Sequence, residues 1–257
     1  MHPITISCSR LSGVASLLAA MFMSGPVAAS DKDAHVEMLP MTAHYTANID
    51  KGLSIDGNAT ASLTRQSANR WQYRFDVDSF IADIRESARF RWSGQTVSPD
   101  TYRYSLEGWM ISDRHRSLTF NWADDRVTGR YEGTPVDLSL PENALGPMTY
   151  QIQLKQDLKK GLQEMSYQVV AEGRMDDDRF AVRGEEVLDS RLGELNTIKV
   201  EKVRAPEKKR ETYLWFAPEW DYMLVRLVQV AKDGTRYEVH LTEATVNGET
   251  VTARPTP

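Results

Sequence analysis

Histidine and cysteine, the side chains that most often carry chemistry, are few in this sequence and stand apart from one another. The five histidines are His2, His35, His44, His115 and His240. No two of them have the i, i+4 spacing of a helical zinc site. The single cysteine, Cys8, lies near the N-terminus and offers the rest of the chain neither a disulfide nor a metal-binding thiolate. These residue types predict no metal site, no cofactor and no catalytic residue.

Carboxylates and hydroxyls give equally little sign of a local reaction centre. Asp76 and Asp78 would leave a strand on its polar face, where solvation favours ordinary pKa values over those of a general acid or base. The acidic run 176–178 lacks the spacing, glycine and distal acid of a calcium loop, so we interpret it as a solvated turn between strands. No Gly-x-Ser-x-Gly nucleophile elbow occurs. A site assembled from residues distant in sequence stays open.

The aromatic side chains support the one sharper hypothesis. The chain has six tryptophans, and a sheet that rolls up could use some of them to line a cavity for an apolar ligand. Arginines alternate with aromatics in the segment 89–92, which sends the two types to opposite faces and favours core packing over stacking on nucleic-acid bases. The candidate ligand-binding residues are Trp92, Tyr104, Trp109 and Trp122.

Elements able to position these aromatics follow from the alternation of apolar and polar residues along most of the chain. Trp71, Tyr73, Phe75 and Val77 alternate with polar residues in the period-2 pattern of a half-buried strand. Similar runs recur throughout, separated by turn signals: Asp56-Gly57, Glu132-Gly133, Asp233-Gly234 and Asn247-Gly248. This punctuation indicates antiparallel strands joined by tight hairpins.

One segment, residues 147–160, has helical spacing instead. Pro147 suits the first turn of a helix, and Gly161 can supply the left-handed residue that ends it. We therefore predict a mainly β fold: a curved antiparallel sheet or a partly open β-barrel or sandwich, with one α-helix near 147–160. The helix should close one end or face of the sheet. Pro218 should end the strand that holds Trp215, and residues 224–230 should form a central strand covered on both faces.

The N-terminus has the three parts of a secretory signal. Arg10 supplies a positive charge, residues 11–27 are mostly apolar, and Val27-Ala28-Ala29 offers small residues for cleavage. The apolar run is short for a membrane anchor. We predict a signal peptide at 1–29, a flexible leader at 30–42, a single β-rich domain at 43–252 and a disordered tail at 253–257. The product would be periplasmic or secreted, with no membrane span in the mature chain, and a net charge of −5 argues against nucleic-acid binding.

The most distinctive motif lies in the C-terminal third. Residues 212–219 read Thr-Tyr-Leu-Trp-Phe-Ala-Pro-Glu, and residues 221–227 then lead to Lys232-Asp233-Gly234. With the segment 148–151 upstream, this pattern resembles the exported bacterial family known as domain of unknown function 3108, over roughly residues 40 to 245. Met223-Leu224 stands where members often have a proline. The resemblance implies an exported, β-rich envelope protein, and it brings no assigned reaction and no catalytic residues.

The resulting functional hypothesis is a non-catalytic periplasmic envelope protein. Its partner would be a lipid or another apolar or amphipathic small molecule, or an envelope protein. Two alternatives stay open: a periplasmic hydrolase acting on envelope polymers, and a scaffold that pairs through a strand edge. A filled interior would favour the scaffold, and a cavity above ~300 Å³ would favour ligand binding. A cleft that holds His115 or His240 beside a carboxylate and a hydroxyl would favour the enzyme.

Overall fold

The computed structural model describes residues 36–50, 54–80, 82–109, 112–204 and 210–253. The predicted signal peptide lies outside these residues, as do parts of the predicted leader and tail. The described strands are β1 Met41–Asp50, β2 Ser54–Arg65, β3 Arg70–Ser79, β4 Ala82–Trp92, β5 Val97–Gly108, β6 Arg114–Asn121, β7 Arg126–Tyr131, β8 Thr134–Ser139, β9 Glu164–Ala171, β10 Arg174–Ser190, β11 Gly193–Val203, β12 Glu211–Ala217, β13 Met223–Val230, β14 Arg236–Val246 and β15 Glu249–Thr250. One α-helix, α1 Thr149–Lys159, joins β8 to β9, and a 3-10 turn Pro218–Trp220 follows β12.

All of these strands belong to one antiparallel sheet. Its order is β8-β7-β6-β5-β4-β3-β2-β1-β14-β13-β12-β11-β10-β9, and β15 pairs with the end of β14. The chain therefore runs as a meander from β1 out to β8, and as a second meander from β9 back to β14, which pairs with β1. This arrangement confirms the predicted fold class, a mainly β protein with one helix.

Alternation sets the face of each strand, as the sequence predicts. In β3, Trp71 and Tyr73 are buried while Arg70 and Arg74 are exposed. Trp71 lies opposite Phe90 of β4, so large rings from adjacent strands share the core. Between β7 and β8, Glu132 and Gly133 both have positive φ angles (47° and 87°), the turn geometry that matches the twist of paired strands.

The two ends of the sheet approach each other, which rolls it into a nearly closed barrel. After β8, the Leu145 N–H donates to the Gln168 carbonyl at 2.8 Å, and the Val170 N–H donates to the Leu145 carbonyl at 2.8 Å. These bonds form a short parallel bridge to β9. Val136 of β8 also lies against the β9–β10 turn, 3.5 Å from where a Cβ on Gly173 would be. The strand edges that end the sheet are thus partly covered.

Helix α1 fills the interior of the rolled sheet. Leu154 and Leu158 pack in a cluster with Met165, Phe180, Val200, Leu214 and Phe216 of β9–β12. On another side of the helix, the Gln153 Oε1 accepts a hydrogen bond from the Val97 N–H of β5 at 2.8 Å. The predicted helix is confirmed, and it closes one end of the rolled sheet as predicted, since its partners Gln95, Val97 and Asp221 all lie at the strand connections of that end. Gln153 and Asp157 can be buried there because β5 and β9 supply hydrogen-bonding partners for them.

The segment after β12 has the predicted order of elements. The 3-10 turn starting at Pro218 ends β12, and β13 follows as a central strand between β12 and β14. Val225 and Val228 belong to the larger core cluster, whereas Leu224 and Leu227 pack against the smaller one beside the helix. Both faces of β13 are therefore covered, as predicted. Among the described residues, no helix is both long and apolar enough to cross a bilayer.

The interpretation of residues 176–178 as a solvated turn is wrong. They lie inside β10, paired with β9, and the turn is formed by Glu172 and Gly173, which have positive φ angles of 51° and 74°. The Asp178 Oδ2 accepts a hydrogen bond from the Lys202 Nζ at 2.5 Å, and both side chains are mostly buried. A buried lysine partner on β11 makes an aspartate tolerable within a strand, and local sequence does not reveal that partner.

Candidate functional site

Several openings between described residues lie on the sheet surface. One cleft, of about 440 Å³, lies between the end of the β10–β11 hairpin and strands β1, β13 and β14. Its apolar lining consists of buried side chains, and its polar lining is more exposed. The apolar residues are Leu188, Leu195, Val225 and Leu241, and the polar ones are Thr46, Asp189, Ser190, Arg191, Arg226 and His240. We call this opening the hairpin cleft.

Strand register places the polar side chains of the hairpin cleft on one face. Thr46 of β1 lies opposite His240 of β14, and His240 lies opposite Arg226 of β13. Side chains directly opposite each other on adjacent strands project to the same side of a sheet. The row of Thr46, His240 and Arg226 is therefore a consequence of register, which single strands read separately do not show.

The hairpin that covers this row is shaped by a bulge and a tight tip. The β10–β11 register shifts between Val182 and Gly184, and Gly184 has a φ of 131°, a conformation suited to glycine. At the tip, the Ser190 hydroxyl donates to the Gly193 carbonyl at 2.7 Å and accepts from the Leu192 N–H at 3.1 Å. The turn therefore uses both hydrogen-bonding roles of the Ser190 hydroxyl and holds Leu188 and Arg191 at the cleft.

A network of charged side chains on β13 and β14 adjoins the cleft. The Glu238 Oε1 accepts two hydrogen bonds from Arg226, at 2.9 and 2.6 Å, and lies 2.9 Å from the His240 Nε2. Glu238 Oε2 accepts from Arg236 at 3.0 Å. Partial burial raises the pKa of Glu238, but the hydrogen bonds from Arg226 and Arg236 outweigh it and leave that pKa below its ordinary value. Glu238 is therefore held as a carboxylate between three cationic or imidazole groups.

Arg191 differs from the other cations of the cleft. It is exposed at the hairpin tip, and among the described residues it forms no ion pair. A second opening of about 400 Å³ shares Thr46, Arg191 and His240 with the hairpin cleft and continues along β1 and β2 past Asn48 and Gly57. The two openings form one elongated groove, with Arg191 and His240 at its centre.

The interior offers far less space. A cavity of about 30 Å³ lies beside α1, lined by side chains that include Tyr45, Tyr73, Lys155 and Phe216. That volume suffices for about one water molecule. Where we find a cavity inside the described barrel, it is thus too small for a lipid or another organic ligand.

Interior charges near this cavity are paired with each other. The Lys155 Nζ lies 2.6 Å from the Asp221 Oδ2, and Lys159 pairs with the same carboxylate. Burial lowers the pKa of Lys155 to about 8, against the opposing effect of Asp221. Asp157 accepts hydrogen bonds from Gln153 at 2.9 Å and from Tyr167 at 2.8 Å. Helical spacing does not reveal these pairs, because the partners Asp221 and Tyr167 lie on other elements.

The four aromatic candidates are not gathered into one site. Trp92 is buried and donates through Nε1 to the Val36 carbonyl at 3.1 Å. Tyr104 is half-buried beneath the Arg116 guanidinium, and Trp122 donates through Nε1 to the Pro99 carbonyl at 2.7 Å. Trp109 is 73% exposed at the end of β5.

None of the four aromatic candidates lines the openings described above. Their role in ligand binding stays a prediction. The remaining histidines that the structure describes are exposed: His44, which lies 3.2 Å from the Thr60 hydroxyl, and His115 on β6. Among the described residues, no group of three histidine, cysteine or acidic side chains could hold a metal ion.

Comparison with known proteins identifies a family and a fold. A family model described as "Protein of unknown function (DUF3108)" matches residues 41–242. A β-barrel-like protein of domain of unknown function DUF1849 from Brucella abortus has a TM-score of 0.56 and 10% identity, covering 82% of this chain and 99% of that one. LprF from Mycobacterium bovis gives a TM-score of 0.29 at 14% identity, covering 88% and 91%. A DUF1329 family protein from Desulfovibrio piger gives 0.26 at 9% identity, covering 83% and 88%. No curated protein matches the chain significantly.

Proposed function

The chain belongs to the DUF3108 family, and on that premise we propose that it is a non-catalytic envelope protein that binds an amphipathic ligand with an acidic head in the hairpin cleft. One observation carries the proposal: the hairpin cleft joins a buried apolar lining to the exposed side chains of Arg191 and His240 in a volume of about 440 Å³. Ligand pockets of proteins typically have ~300–1,000 Å³ and a few placed polar groups.

Each part of the hairpin cleft has a distinct role in this proposal. The apolar part of the ligand covers Leu188 and Leu195, and burial of methylene groups stabilises the complex by ~0.8 kcal/mol each. The acidic head meets Arg191 and the His240 ring, since a guanidinium without an ion pair has all of its donors available. Glu238 keeps Arg226 in place beneath them. The predicted signal peptide supports a periplasmic or secreted location, where lipids and their fragments are the amphipathic molecules at hand.

A titration with dodecanoate tests the proposal. We expect saturable binding by calorimetry, and much weaker binding of dodecyl maltoside, which has the same chain but a neutral head. Replacement of Leu188 by Asn should lower dodecanoate affinity at least about tenfold, because a polar group then lines the apolar side. Val187→Asn is the matched control, since Val187 is 61% exposed and is not part of the cleft lining. Absence of dodecanoate binding, or equal losses in the two variants, would contradict the proposal.

Hydrolysis is the second candidate function, favoured by one observation. His240 lies 2.9 Å from Glu238 and opposite Thr46, so an imidazole, a carboxylate and a hydroxyl meet at the hairpin cleft. The other hydroxyl there, that of Ser190, is engaged in the hairpin tip. If the protein releases soluble fragments from purified cell-wall polymer and His240→Gln abolishes that release, hydrolysis is the function.

The scaffold alternative has weaker support. The edge strand β8 carries Pro135, which cannot donate to a new strand, and Asp137, which pairs with Arg126. The other edge strand, β9, is bridged by Leu145. Both features disfavour the addition of a partner strand.

A further inference from the structure

Exposed apolar side chains concentrate at one end of the sheet. Six large apolar side chains are exposed among the described residues, and four of them lie at this end: Ile49, Phe80, Trp109 and Tyr237. Phe80 is 96% exposed and Trp109 is 73% exposed, values that are unusual for aromatic side chains in a soluble domain. We call these four residues the aromatic rim.

Strand pairing groups the aromatic rim into two neighbouring pairs on either side of β2. Phe80 lies between β3 and β4, and Trp109 follows β5 directly. Ala82 of β4 pairs with Gly108 of β5, so the two aromatic residues lie at neighbouring connections. Ile49 of β1 lies opposite Tyr237 of β14 at the same end of the sheet. The rim therefore lies at one end of the neighbouring strands β14 to β5 instead of being scattered over the surface.

We propose that the aromatic rim docks onto the surface of a lipid bilayer. Tryptophan and tyrosine favour the boundary between headgroups and acyl chains, because they combine an apolar ring with a polar group. Protruding side chains such as Phe80 and Trp109 can enter that boundary without a complementary partner surface. The nearby Arg85 pairs with Asp78 and Asp83, which leaves one net negative charge beside Phe80, so the docking relies on the apolar side chains and not on attraction to anionic lipid.

The size of the aromatic rim favours a bilayer over a protein partner. A stable protein interface buries ~800 Å² on each side, whereas one aromatic side chain buries only ~150–250 Å². Phe80 and Trp109 together fall short of that area, and Ile49 and Tyr237 are each less than two-fifths exposed. Insertion into an interface needs no such area, since each apolar group contributes separately.

The position of the hairpin cleft also favours a bilayer. The groove that continues the cleft is lined by Gly57, which pairs with Ser79, the residue before Phe80. It is also lined by Asn48, the residue before Ile49. The groove therefore runs toward the aromatic rim, and a docked rim would bring its end close to the lipid surface. In this respect the inference deepens the proposed function, but docking itself does not depend on the cleft.

Fluorescence quenching by lipid tests the docking directly. The probe is vesicles of phosphatidylethanolamine and phosphatidylglycerol (about 3:1) that include phosphatidylcholine brominated in its acyl chains. All six tryptophans lie outside the predicted signal peptide, and Trp109 is the one among them that is largely exposed. We expect the vesicles to quench part of the fluorescence, and Trp109→Phe to retain vesicle binding but lose that quenching. Absence of quenching in the unaltered protein overturns the proposal.

Vesicle sedimentation supplies a second measurement. The double variant Phe80→Ser/Trp109→Ser should bind vesicles at least about tenfold more weakly. Leu162→Ser/Val187→Ser is the matched control, because it removes two exposed apolar side chains away from the rim. Every variant keeps the same N-terminus, so the predicted signal segment cannot cause a difference between them. Equal binding by the two double variants overturns the proposal, as does a loss of binding in the control alone.

The two proposals fail separately. Leu188→Asn should lose dodecanoate binding and keep vesicle binding, whereas Phe80→Ser/Trp109→Ser should keep dodecanoate binding and lose vesicle binding. If Leu188→Asn abolishes both, vesicle binding depends on the hairpin cleft and the docking role of the aromatic rim is wrong.

Discussion

The interior of the barrel and the hairpin cleft both place paired charges beside apolar side chains, such as Arg226 with Glu238 at the cleft, but the cleft also holds an arginine without an ion pair in the described part of the chain. Inside, Lys155 and Lys159 share the carboxylate of Asp221, and Lys202 pairs with Asp178. At the cleft, Arg191 is exposed and forms no ion pair with a described residue. The interior charges thus form ion pairs with each other when the chain folds, whereas the guanidinium of Arg191 can still form hydrogen bonds to a ligand.

Burial explains this difference. An unpaired charge inside a protein costs several kcal/mol, so an interior charge persists only with a partner. The same charge at an open cleft keeps its hydration and can exchange water for a ligand at little cost. Perturbed interior groups, such as Lys155 with its lowered pKa, therefore point here to stability. A shifted pKa indicates a functional site only where there is also space for a ligand beside the titrating group.

Among the variants that test this comparison, Asp221→Asn should cause the largest loss of stability. This change leaves Lys155 and Lys159 buried without a carboxylate, and removal of one partner from a buried ion pair typically costs about 3–5 kcal/mol. We expect the free energy of unfolding, measured by urea denaturation, to fall by about that amount. Asp189→Asn is the matched control at the exposed hairpin cleft and should change it by less than about 0.5 kcal/mol. Equal effects would show that interior and cleft charges do not differ in this way.

Much of the fold is predictable from the sequence, because strand periodicity and turn chemistry are local. The alternation from Trp71 to Val77 predicts β3, and Pro218 predicts the end of β12. The helix is also predictable, as is its place at one end of the sheet, but the burial of its polar side chains is not. Its many polar residues suggest a solvated face, and only the remote Asp221 and Tyr167 explain why Lys155 and Asp157 can be buried.

The candidate site is much less predictable. Thr46 is far in sequence from Arg226 and His240, and the three meet because β1, β14 and β13 are adjacent in the observed register. The rolled-sheet hypothesis leads from the aromatics to an internal cavity, and the interior cavity that we describe, of about 30 Å³ beside α1, is lined by other residues. Trp109 could be recognised as exposed only by its place at the end of β5, beyond the alternating strand.

A smaller effect should appear in the dependence of stability on pH. Burial lowers the pKa of Lys155 from its ordinary value of 10.5 to about 8. Between these two pH values the unfolded chain therefore binds more protons than the folded chain. The free energy of unfolding should therefore rise as pH increases from about 8 toward 10, by at most about 3 kcal/mol. Above pH 10 the buried tyrosines oppose this trend, since burial raises the pKa of Tyr73 and Tyr150. Lys155→Met should flatten the rise in urea titrations at pH 7–10, and an unchanged profile would contradict the burial effect.

The smallest effect on stability should accompany Arg191→Gln. Because Arg191 is exposed and lacks an ion pair among the described residues, the free energy of unfolding should change by less than about 0.5 kcal/mol. Dodecanoate affinity should nevertheless fall roughly tenfold, since a hydrogen bond to a charged group typically contributes about 1.5–3 kcal/mol. Arg126→Gln is the matched control: Arg126 is an exposed arginine on β7 that pairs with Asp137, and its loss should leave dodecanoate binding unchanged. If Arg191→Gln lowered stability without lowering dodecanoate affinity, Arg191 would stabilise the fold as the interior charges do. The proposed difference between the interior and the hairpin cleft would then be wrong.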